Sequence, residues 1–196
     1  LSRGLGDVYK RQLDMGISYY RLVYARLTGE PFVVAETKNL LIREMTTKDL
    51  PELYAVYSTL EDCRYIEQLY DYDKELEFTK NYIKNMYGFF EYGLWLVFEK
   101  KSGELIGRAG IENREIDGVT CCEIGYLIRR DMQHKGYAYE ACQAILEYAS
   151  DELGIQEMFA VIDKTNEPSR KLAQKLGFEL YAQTDDGPDL YKFVFG

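Results

Sequence analysis

Gln133-His134-Lys135-Gly136-Tyr137-Ala138 (QHKGYA) is the stretch that decides the fold, because the segments on its two sides differ in pattern. The apolar run 124–128 before it predicts a strand, and residues 137–152 after it have the periodicity of an amphipathic helix. Small residues at Gly136 and Ala138 let a backbone pass close to a bulky anion. The first N–H groups of a helix lack partners and carry a partial positive charge, so this order of elements predicts a phosphate or pyrophosphate site.

Regular signals continue outward from this loop over residues 39–196, which are predicted to form one domain. Turn residues at 101–103, 117–118 and 185–188 separate predicted strands, and Thr46 with Asp49 predicts a capped helix start. The predicted strands are 40–44, 94–99, 105–113, 121–128, 158–162, 178–184 and 190–195, and the predicted helices are 46–58, 73–86, 137–152 and 166–177. This order indicates an α/β (α+β) fold with a mixed, mostly antiparallel sheet, in which the strands joined by helix 137–152 run parallel.

The first 38 residues carry weaker signals. Residues 1–12 (LSRGLGDVYKRQ) have neither helical nor strand periodicity and are interpreted as a non-native or artefactual tail. Residues 13–38 are predicted to form an N-terminal helical extension, with a helix at 17–27 that Gly29 and Pro31 end. This extension is also compatible with the remnant of an upstream domain.

Composition narrows the classes of function. Hydrophobic residues make up 46% and charged residues 29%, and no apolar run reaches the ~20 residues that span a bilayer, so a cytoplasmic protein without a membrane partner is predicted. The net charge of −9 argues against a nucleic-acid partner. It suits a cationic amine substrate, and the alternative is that the charge serves only solubility. No metal site is expected, because one histidine and no C-x-x-C pair accompany the cysteines, which are predicted to be reduced: Cys63, Cys121, Cys122 and Cys142.

Residues 123–141 (EIGYLIRRDMQHKGYAYEA) resemble motif A of the GNAT superfamily of N-acetyltransferases, a strand followed by Q/R-x-x-G-x-G/A and a helix. Two further blocks are similar to that family in the same order. Residues 166–178 (NEPSRKLAQKLGF) match its N-x-x-S and L-G-F helix, and 40–50 match its first strand and helix. The resemblance covers Asn39 to Gly196 and is greatest to the branch that acetylates the N-terminus of ribosomal proteins. A Rossmann fold is disfavoured because no G-x-G-x-x-G is present.

The resemblance implies a GNAT acyl-CoA N-acyltransferase fold with splayed central strands, helices on both faces and acetyl-CoA as co-substrate. The pantetheine arm would pair with the strand Tyr126, Leu127 and Ile128, and Asn166 would hydrogen-bond it or cap the helix that follows. Lys135 would compensate for Gln133, which replaces the family's commoner Arg, and His134 is also compatible with a solvated loop position. Main-chain N–H groups would wrap the diphosphate from Gln133, His134, Lys135, Gly136, Tyr137, Ala138 and Tyr139.

The resemblance also implies the chemistry. Ser169 would donate a proton to the departing thiolate, although many relatives use a Tyr at the place of Ala173, and water is an alternative donor. Glu123 is the candidate base for the ammonium group, and the alternative is a cross-strand salt bridge with Arg108 or Arg114. Glu112 is a second candidate base. Three tyrosines are candidates for lining the acceptor pocket: Tyr65, Tyr70 and Tyr72.

The predicted function is transfer of an acetyl group from acetyl-CoA to a primary amine by direct attack in a ternary complex. No cysteine lies beside a histidine to form a covalent intermediate. The acceptor is either a protein N-terminus or a small amine, and the protein is expected to be a monomer or a homodimer. The alternative from another class is a catalytically silent acyl-CoA-binding regulatory module.

Overall fold

The computed structural model describes residues 17–60, 64–116, 118–185 and 187–196. The chain divides into two units, Leu1–Phe32 and Val33–Gly196. In the described part of the first unit, helix α1 spans Ile17–Thr28, which confirms the helix predicted at 17–27. The predicted tail at 1–12 lies outside the described residues, as does Asp117 of the predicted turn 117–118.

The second unit contains the elements that the sequence predicted and one more strand. Its strands are β1 (Val33–Glu36), β2 (Leu40–Arg43), β3 (Leu94–Glu99), β4 (Leu105–Ile116), β5 (Val119–Ile128), β6 (Glu157–Ile162), β7 (Glu179–Ala182) and β8 (Asp189–Val194). Its α-helices are α2 (Leu50–Ser58), α3 (Tyr72–Tyr82), α4 (Tyr137–Asp151) and α5 (Glu167–Leu176). Short 3-10 turns occupy Thr47–Asp49 and Arg130–Met132, and a π-helix spans Ile83–Phe90.

One sheet of eight strands forms the centre of the described second unit, in the order β1-β2-β3-β4-β5-β6-β8-β7. Neighbouring strands are antiparallel except β5 and β6, which are parallel and joined by α4, as predicted. The sequence reasoning missed strand β1, which pairs with β2 from Val33 opposite Arg43. The sheet therefore begins at Val33, earlier than the expected domain start at Asn39.

Helices cover both faces of this sheet. Arg108 on β4 lies beside Tyr57 of α2 and Tyr82 of α3. Tyr126 on β5 lies beside Cys142 of α4 and Ser169 of α5. Tyr126 is paired with the residue after Arg108, and successive side chains of a strand point to opposite faces, so the two helix pairs lie on opposite sides. The core between them contains Trp95, Leu96, Ile106, Ile111, Ile145 and Met158, all fully buried.

The second predicted helix ends differently from expectation. The sequence predicts one helix over 73–86, whereas α3 ends at Tyr82 and continues as the π-helix to Phe90, followed by Glu91 with a left-handed φ of 63°. The wider turn brings Tyr87 into the core, where its hydroxyl donates to the carbonyl of Leu94. A pattern with a period of 3.6 residues does not reveal such a segment, because the π-helix changes the period.

A capping box formed by Thr46 and Asp49, as predicted, holds the 3-10 turn Thr47–Asp49 that leads into α2. Asp49 Oδ2 accepts the Thr46 backbone N–H at 2.7 Å and the Thr46 hydroxyl at 2.8 Å. Arg43 adds a two-point ion pair, with Nη2 at 2.7 Å from Oδ1 and Nη1 at 3.0 Å from Oδ2. Burial raises the pKa of Asp49, but the hydrogen bonds from Arg43 and Thr46 outweigh it and lower the pKa below its ordinary value. The ionised form of Asp49 thus stabilises the fold.

We expect Asp49→Asn to lower the free energy of unfolding at pH 7 by about 1–3 kcal/mol, because a buried hydrogen-bonded charge loses its ion pair. The folded-state pKa of Asp49 is depressed, so its contribution is present above the unfolded-state pKa and is lost as pH falls through the folded-state pKa. Urea unfolding at several pH values measures this. The difference between the two proteins should shrink at acid pH, and the exposed control Asp185→Asn should change stability by less than about 0.5 kcal/mol.

Candidate functional site

Strands β5 and β6 separate soon after they meet. Among the described residues they share a single parallel register pair, Glu123 with Phe159, whereas β5 pairs with β4 from Val119 to Ile128. The backbone at 126–128, which the sequence predicted to hold the cofactor arm, therefore has a free edge on the β6 side within this part of the chain. Such an edge offers N–H and C=O groups to an extended ligand, which can bind as an added strand.

The loop after β5 has a backbone geometry typical of anion sites. His134 and Gly136 both adopt left-handed conformations, with φ of 61° and 87°. This conformation is uncommon for a residue other than glycine, and turns of this kind create concave surfaces of N–H groups that bind anions. Residues 134–136 are exposed, so His134 occupies the solvated loop position that the sequence analysis considered.

The backbone N–H groups of residues 134–139 have no hydrogen-bond acceptor among the described residues. Glu140 is the first residue of this segment with a paired N–H, which donates to the carbonyl of Gly136 at 3.0 Å. Gly136 is the N-cap of α4, and no side chain of the described residues caps this end of the helix. Unpaired donors at the positive end of a helix dipole favour an anion, so the predicted diphosphate loop has the donors that this role requires.

Side chains hold this loop and helix start in place. Glu140 accepts hydrogen bonds from the Thr37 hydroxyl at 2.6 Å and from the backbone N and Nδ2 of Asn39 at 2.8 Å each. Partial burial raises the pKa of Glu140, but these hydrogen bonds outweigh it and lower the pKa. The hydroxyl of Tyr137 donates to Glu99. The sequence reasoning missed Glu140, because its partners are distant in the chain and no local pattern marks them.

Gln133 and Lys135 are engaged within the loop itself. Gln133 Nε2 donates to the carbonyl of Ile128 at 2.9 Å, which fastens the loop to the end of β5. Lys135 Nζ lies 3.1 Å from the sulfur of Met132. The amide of Gln133 thus supports the backbone of the loop in this arrangement, while the main-chain donors remain open.

Asn166 and Ser169 lie together at the start of α5. Asn166 Oδ1 accepts the backbone N–H of Ser169 at 3.2 Å, so Asn166 is the N-cap of α5, one of its two predicted roles. Burial raises the pKa of Tyr126, and the nearby Ser169 acts in the opposite direction with a smaller effect. The Tyr126 hydroxyl has no hydrogen-bond partner among the described residues. The side chains of Tyr126 and Ser169 are therefore neighbours beside the strand gap.

Glu123 occupies the point where β5 and β6 part. Glu123 is 9% exposed. Each of its carboxylate oxygens has a polar partner. Oε2 lies 2.7 Å from Nε of Arg114, and Oε1 accepts the backbone N–H of Val161 on β6 at 3.2 Å. The alternative of a cross-strand salt bridge with Arg114, weighed from the sequence, is thus present in the structure. The assignment of Glu123 as a base stays a prediction.

Glu112 is the carboxylate beside this position without a hydrogen bond or ion pair among the described residues. It is opposite Glu123 in the register of β4 and β5 and is partly buried. A Cβ atom at Gly125 would lie 3.3 Å from Glu112 Oε2, so the carboxylate lies over a position that has no side chain. Burial raises the pKa of Glu112; Arg108 acts in the opposite direction, and the charges of Glu67 and Glu123 add to the increase.

The described part of the loop between α2 and α3 reaches the β6–α5 connection. The hydroxyl of Tyr65 lies 2.6 Å from the hydroxyl of Thr165. Tyr70 packs edge-on against Phe78, and Tyr72 packs against Tyr54, so these two predicted pocket residues contact the surfaces of α2 and α3. Of the three tyrosines considered for the acceptor pocket, Tyr65 is the one joined to the β6–α5 connection.

Three further properties of the described residues bear on the function. Within residues 17–60, 64–116, 118–185 and 187–196, no cluster of His, Cys, Asp and Glu could hold a metal ion. Cys121, Cys122 and Cys142 are free thiols, and Cys63 lies outside the described residues. No described helix has the length and apolar character needed to cross a membrane.

Comparisons with known proteins agree with this geometry. The family model "Acetyltransferase (GNAT) domain" matches residues 39–179. The "Uncharacterized protein YkkB" of Bacillus subtilis (strain 168) is 33% identical over 134 residues, which cover 68% of this chain and 72% of that protein. The "Uncharacterized N-acetyltransferase YnaD" of the same organism is 33% identical over 143 residues, which cover 72% of this chain and 79% of that protein.

The structural comparison supports the same fold. A structure described as RimL, a ribosomal L7/L12 alpha-N-protein acetyltransferase in complex with coenzyme A, superimposes with a TM-score of 0.66. It is 14% identical, and the match covers 83% of this chain and 97% of that one. The mixed sheet with helices, as predicted from the sequence, is therefore the fold that this chain shares with that structure.

Proposed function

This chain belongs to the GNAT family of acetyltransferases, and on that premise we propose that it binds acetyl-CoA along the free edge of β5 and delivers its acetyl group to a primary amine beside Glu112. Acetyl transfer from acetyl-CoA follows from the family. The residues that carry it and the nature of the acceptor are proposals. The observation that supports them best is the row of unpaired N–H groups at 134–139, next to the free strand edge.

The residues present suit acetyl-CoA. The backbone of Tyr126, Leu127 and Ile128 would pair with the pantetheine amides, and the open donors of 134–139 would hold the diphosphate. Asn166 uses its carbonyl oxygen to cap α5, which leaves its amide NH₂ group for the pantetheine arm. The main-chain donors of the loop begin at His134, because the N–H of Gln133 donates to Arg130 at 3.1 Å. When bound, acetyl-CoA supplies the thioester carbonyl that the amine attacks.

Positioning and polarisation would provide most of the rate. A backbone N–H of the 126–128 segment would donate to the thioester oxygen, on which negative charge develops as the new C–N bond forms. Ser169 is the proposed proton donor to the thiolate that leaves, supported by its place beside Tyr126 at the gap. Ala173, at the position where relatives have a tyrosine, is buried and offers no proton, so water remains the alternative donor.

Glu112 and Glu123 are the two candidates for taking the proton of the ammonium group. Both oxygens of Glu123 already have a hydrogen-bond or ion-pair partner. The carboxylate of Glu112 has neither kind of partner among the described residues. A raised pKa also brings the proton affinity of Glu112 closer to that needed near neutral pH. We therefore favour Glu112 as the proton acceptor, directly or through one water, and the role predicted for Glu123 is tested separately below.

The proposed acceptor is a cationic primary amine. Three carboxylates near the gap support this choice, since Glu67 and Glu123 both contribute to the electrostatic environment of Glu112. A protein N-terminus and a small amine carry the same reacting group, and acceptor screening distinguishes them. A cytoplasmic location, a monomeric or homodimeric state and the absence of nucleic-acid and membrane partners stay predictions.

The experiment that tests the proposal follows release of the free coenzyme A thiol from acetyl-CoA with a panel of amines and short peptides. Thiol release that depends on both the protein and one acceptor is expected, with the acetylated amine identified by mass. Binding of acetyl-CoA without release for any acceptor would instead support the silent regulatory module. Preference for peptides over small amines, or the reverse, assigns the acceptor class.

A further inference from the structure

The contacts of Glu123 help to explain why β5 and β6 part where they do. In a continuous parallel ladder, alternate N–H groups of β6 donate to carbonyls of β5. Val161 lies two residues after Phe159, the single β6 residue paired with β5 in the described chain. Its N–H donates instead to the side chain of Glu123, at 3.2 Å from Oε1. A carboxylate thus replaces the main-chain acceptor two residues past Phe159, where the alternation of the ladder next turns an N–H toward β5.

Two consequences follow from this replacement. The N–H of Val161 is satisfied without a β5 carbonyl, so β6 can leave β5 without exposing an unpaired donor inside the protein. The carboxylate is held from its other side by Arg114, whose Nε lies 2.7 Å from Oε2, and this fixes the side chain between the two strands. Since the free edge at 126–128 begins just past Glu123, the position of this side chain determines where the edge opens.

We propose that Glu123 is a positioning residue whose carboxylate joins β5 to the Val161 N–H and thereby sets the gap into which the pantetheine arm of acetyl-CoA enters. This role rests on the proposed function for its ligand and differs from the role of a base. The requirement is a hydrogen-bond acceptor at this position. A negative charge is secondary, because Arg114 is about half exposed and exposed ion pairs contribute little.

The test compares Glu123→Gln, which keeps an acceptor oxygen, with Glu123→Ala, which removes it. For the alanine variant we expect loss of hydrogen-exchange protection at the Val161 amide and an acetyl-CoA dissociation constant raised about tenfold, as for the loss of one buried hydrogen bond. The glutamine variant should recover most of both losses. Titration calorimetry with acetyl-CoA and exchange measured by NMR need no turnover.

Turnover separates positioning from proton transfer. A positioning role predicts that Glu123→Ala raises the KM for acetyl-CoA more than it lowers kcat and that Glu123→Gln changes both only slightly. It also predicts that activity still falls at acid pH in both variants. Loss of this acid limb in Glu123→Gln would assign proton transfer to Glu123 and overturn the proposal. Unchanged exchange at Val161 and unchanged acetyl-CoA affinity in Glu123→Ala would overturn it as well.

Arg114→Gln is the control variant, and acetyl-CoA binding by the unmodified protein is the reference measurement. Arg114→Gln removes the same ion pair as Glu123→Gln but leaves the carboxylate in place, so its effect on acetyl-CoA affinity should stay well below that of Glu123→Ala. Failure of the unmodified protein to bind acetyl-CoA at all would sink the proposed function. That outcome is distinct from failure of the positioning role, because the exchange of Val161 in the two variants is measured without ligand.

Discussion

Glu112→Gln is expected to lower kcat/KM for the amine acceptor by about 10²–10⁴-fold, the range for loss of a positioned proton acceptor. The amide of Gln has nearly the shape of the carboxylate but cannot take the proton of the ammonium group. Glu112 lies over Gly125 without a hydrogen-bond or ion-pair partner in the described chain, so the substitution breaks no hydrogen bond or ion pair found there. Acetyl-CoA affinity should change little, and the assay is thiol release with the best acceptor of the panel.

The activity of the unmodified protein should depend on the ionisation of Glu112. A base must be ionised to act, so kcat/KM falls as pH drops through the pKa of Glu112, which burial raises above the ordinary value near ~4.3. The acid limb should therefore lie above that value and disappear in Glu112→Gln. The groups that influence this carboxylate lie on five segments: Arg108 and Arg114 on β4, Glu123 on β5, Glu67 in the α2–α3 loop, Tyr57 on α2 and Tyr82 on α3.

Stability measurements show whether Glu112→Gln loses activity merely because the variant unfolds. The folded-state pKa of Glu112 is raised, so folding favours its protonated form and the ionised carboxylate opposes folding at neutral pH. Glu112→Gln should consequently have a melting temperature equal to or above that of the unmodified protein. Glu115→Gln, an exposed change on the same strand, is the matched control for activity. Full activity of Glu112→Gln with an intact acid limb would show that another group takes the proton.

The parts of the site that the sequence predicted are those encoded in short segments. The strand, loop and helix around Gly136 form one continuous stretch, and its small residues and helix signals are visible without any partner. The cap formed by Asn166 is equally local, because it bonds the N–H of Ser169 three residues later. Local rules of this kind depend on backbone geometry over one turn, so pattern reasoning predicts them.

Contacts between segments that are distant in the chain could not be predicted from local sequence patterns. The tie of Glu140 to Thr37 and Asn39 and the contact of Tyr65 with Thr165 join segments about 100 residues apart, as the folded chain brings them together. The sequence placed Glu112 and Glu123 on adjacent strands but did not reveal which one had its oxygens occupied. That distinction depends on the N–H of Val161, which the parting of β5 and β6 leaves available.

Strand β1 was not predicted because it is short. Its four residues, Val33–Glu36, follow a proline and are too few to display a period of two, so the helix-ending signals at Gly29 and Pro31 dominated the interpretation. The β-branched pair Val33 and Val34 was the available signal. Pairing with β2 supplies the stabilisation that the short segment lacks by itself.

Gly136→Glu is expected to raise the dissociation constant for acetyl-CoA by about 10²–10³-fold, because it brings a negative charge to the proposed diphosphate loop. Gly136 has a φ of 87°, and a side chain in this left-handed conformation costs the folded protein roughly 1–2 kcal/mol of stability, with or without ligand. The new carboxylate would stand at the start of α4 among the N–H groups proposed to hold the diphosphate, where repulsion between like charges a few ångströms apart is of the order of several kcal/mol. Titration calorimetry with acetyl-CoA measures the change.

The chain offers a closely matched control at the far end of the same helix. Gly154 follows α4 with a φ of 64°, and a Cβ atom at either glycine would meet nothing within 4 Å. Gly154→Glu therefore imposes the same kind of backbone strain and adds the same charge, but away from the diphosphate loop. We expect both variants to lose similar stability and only Gly136→Glu to lose affinity. Equal affinities for the two variants would mean that the diphosphate binds elsewhere, because strain and net charge are matched and only the location of the carboxylate differs.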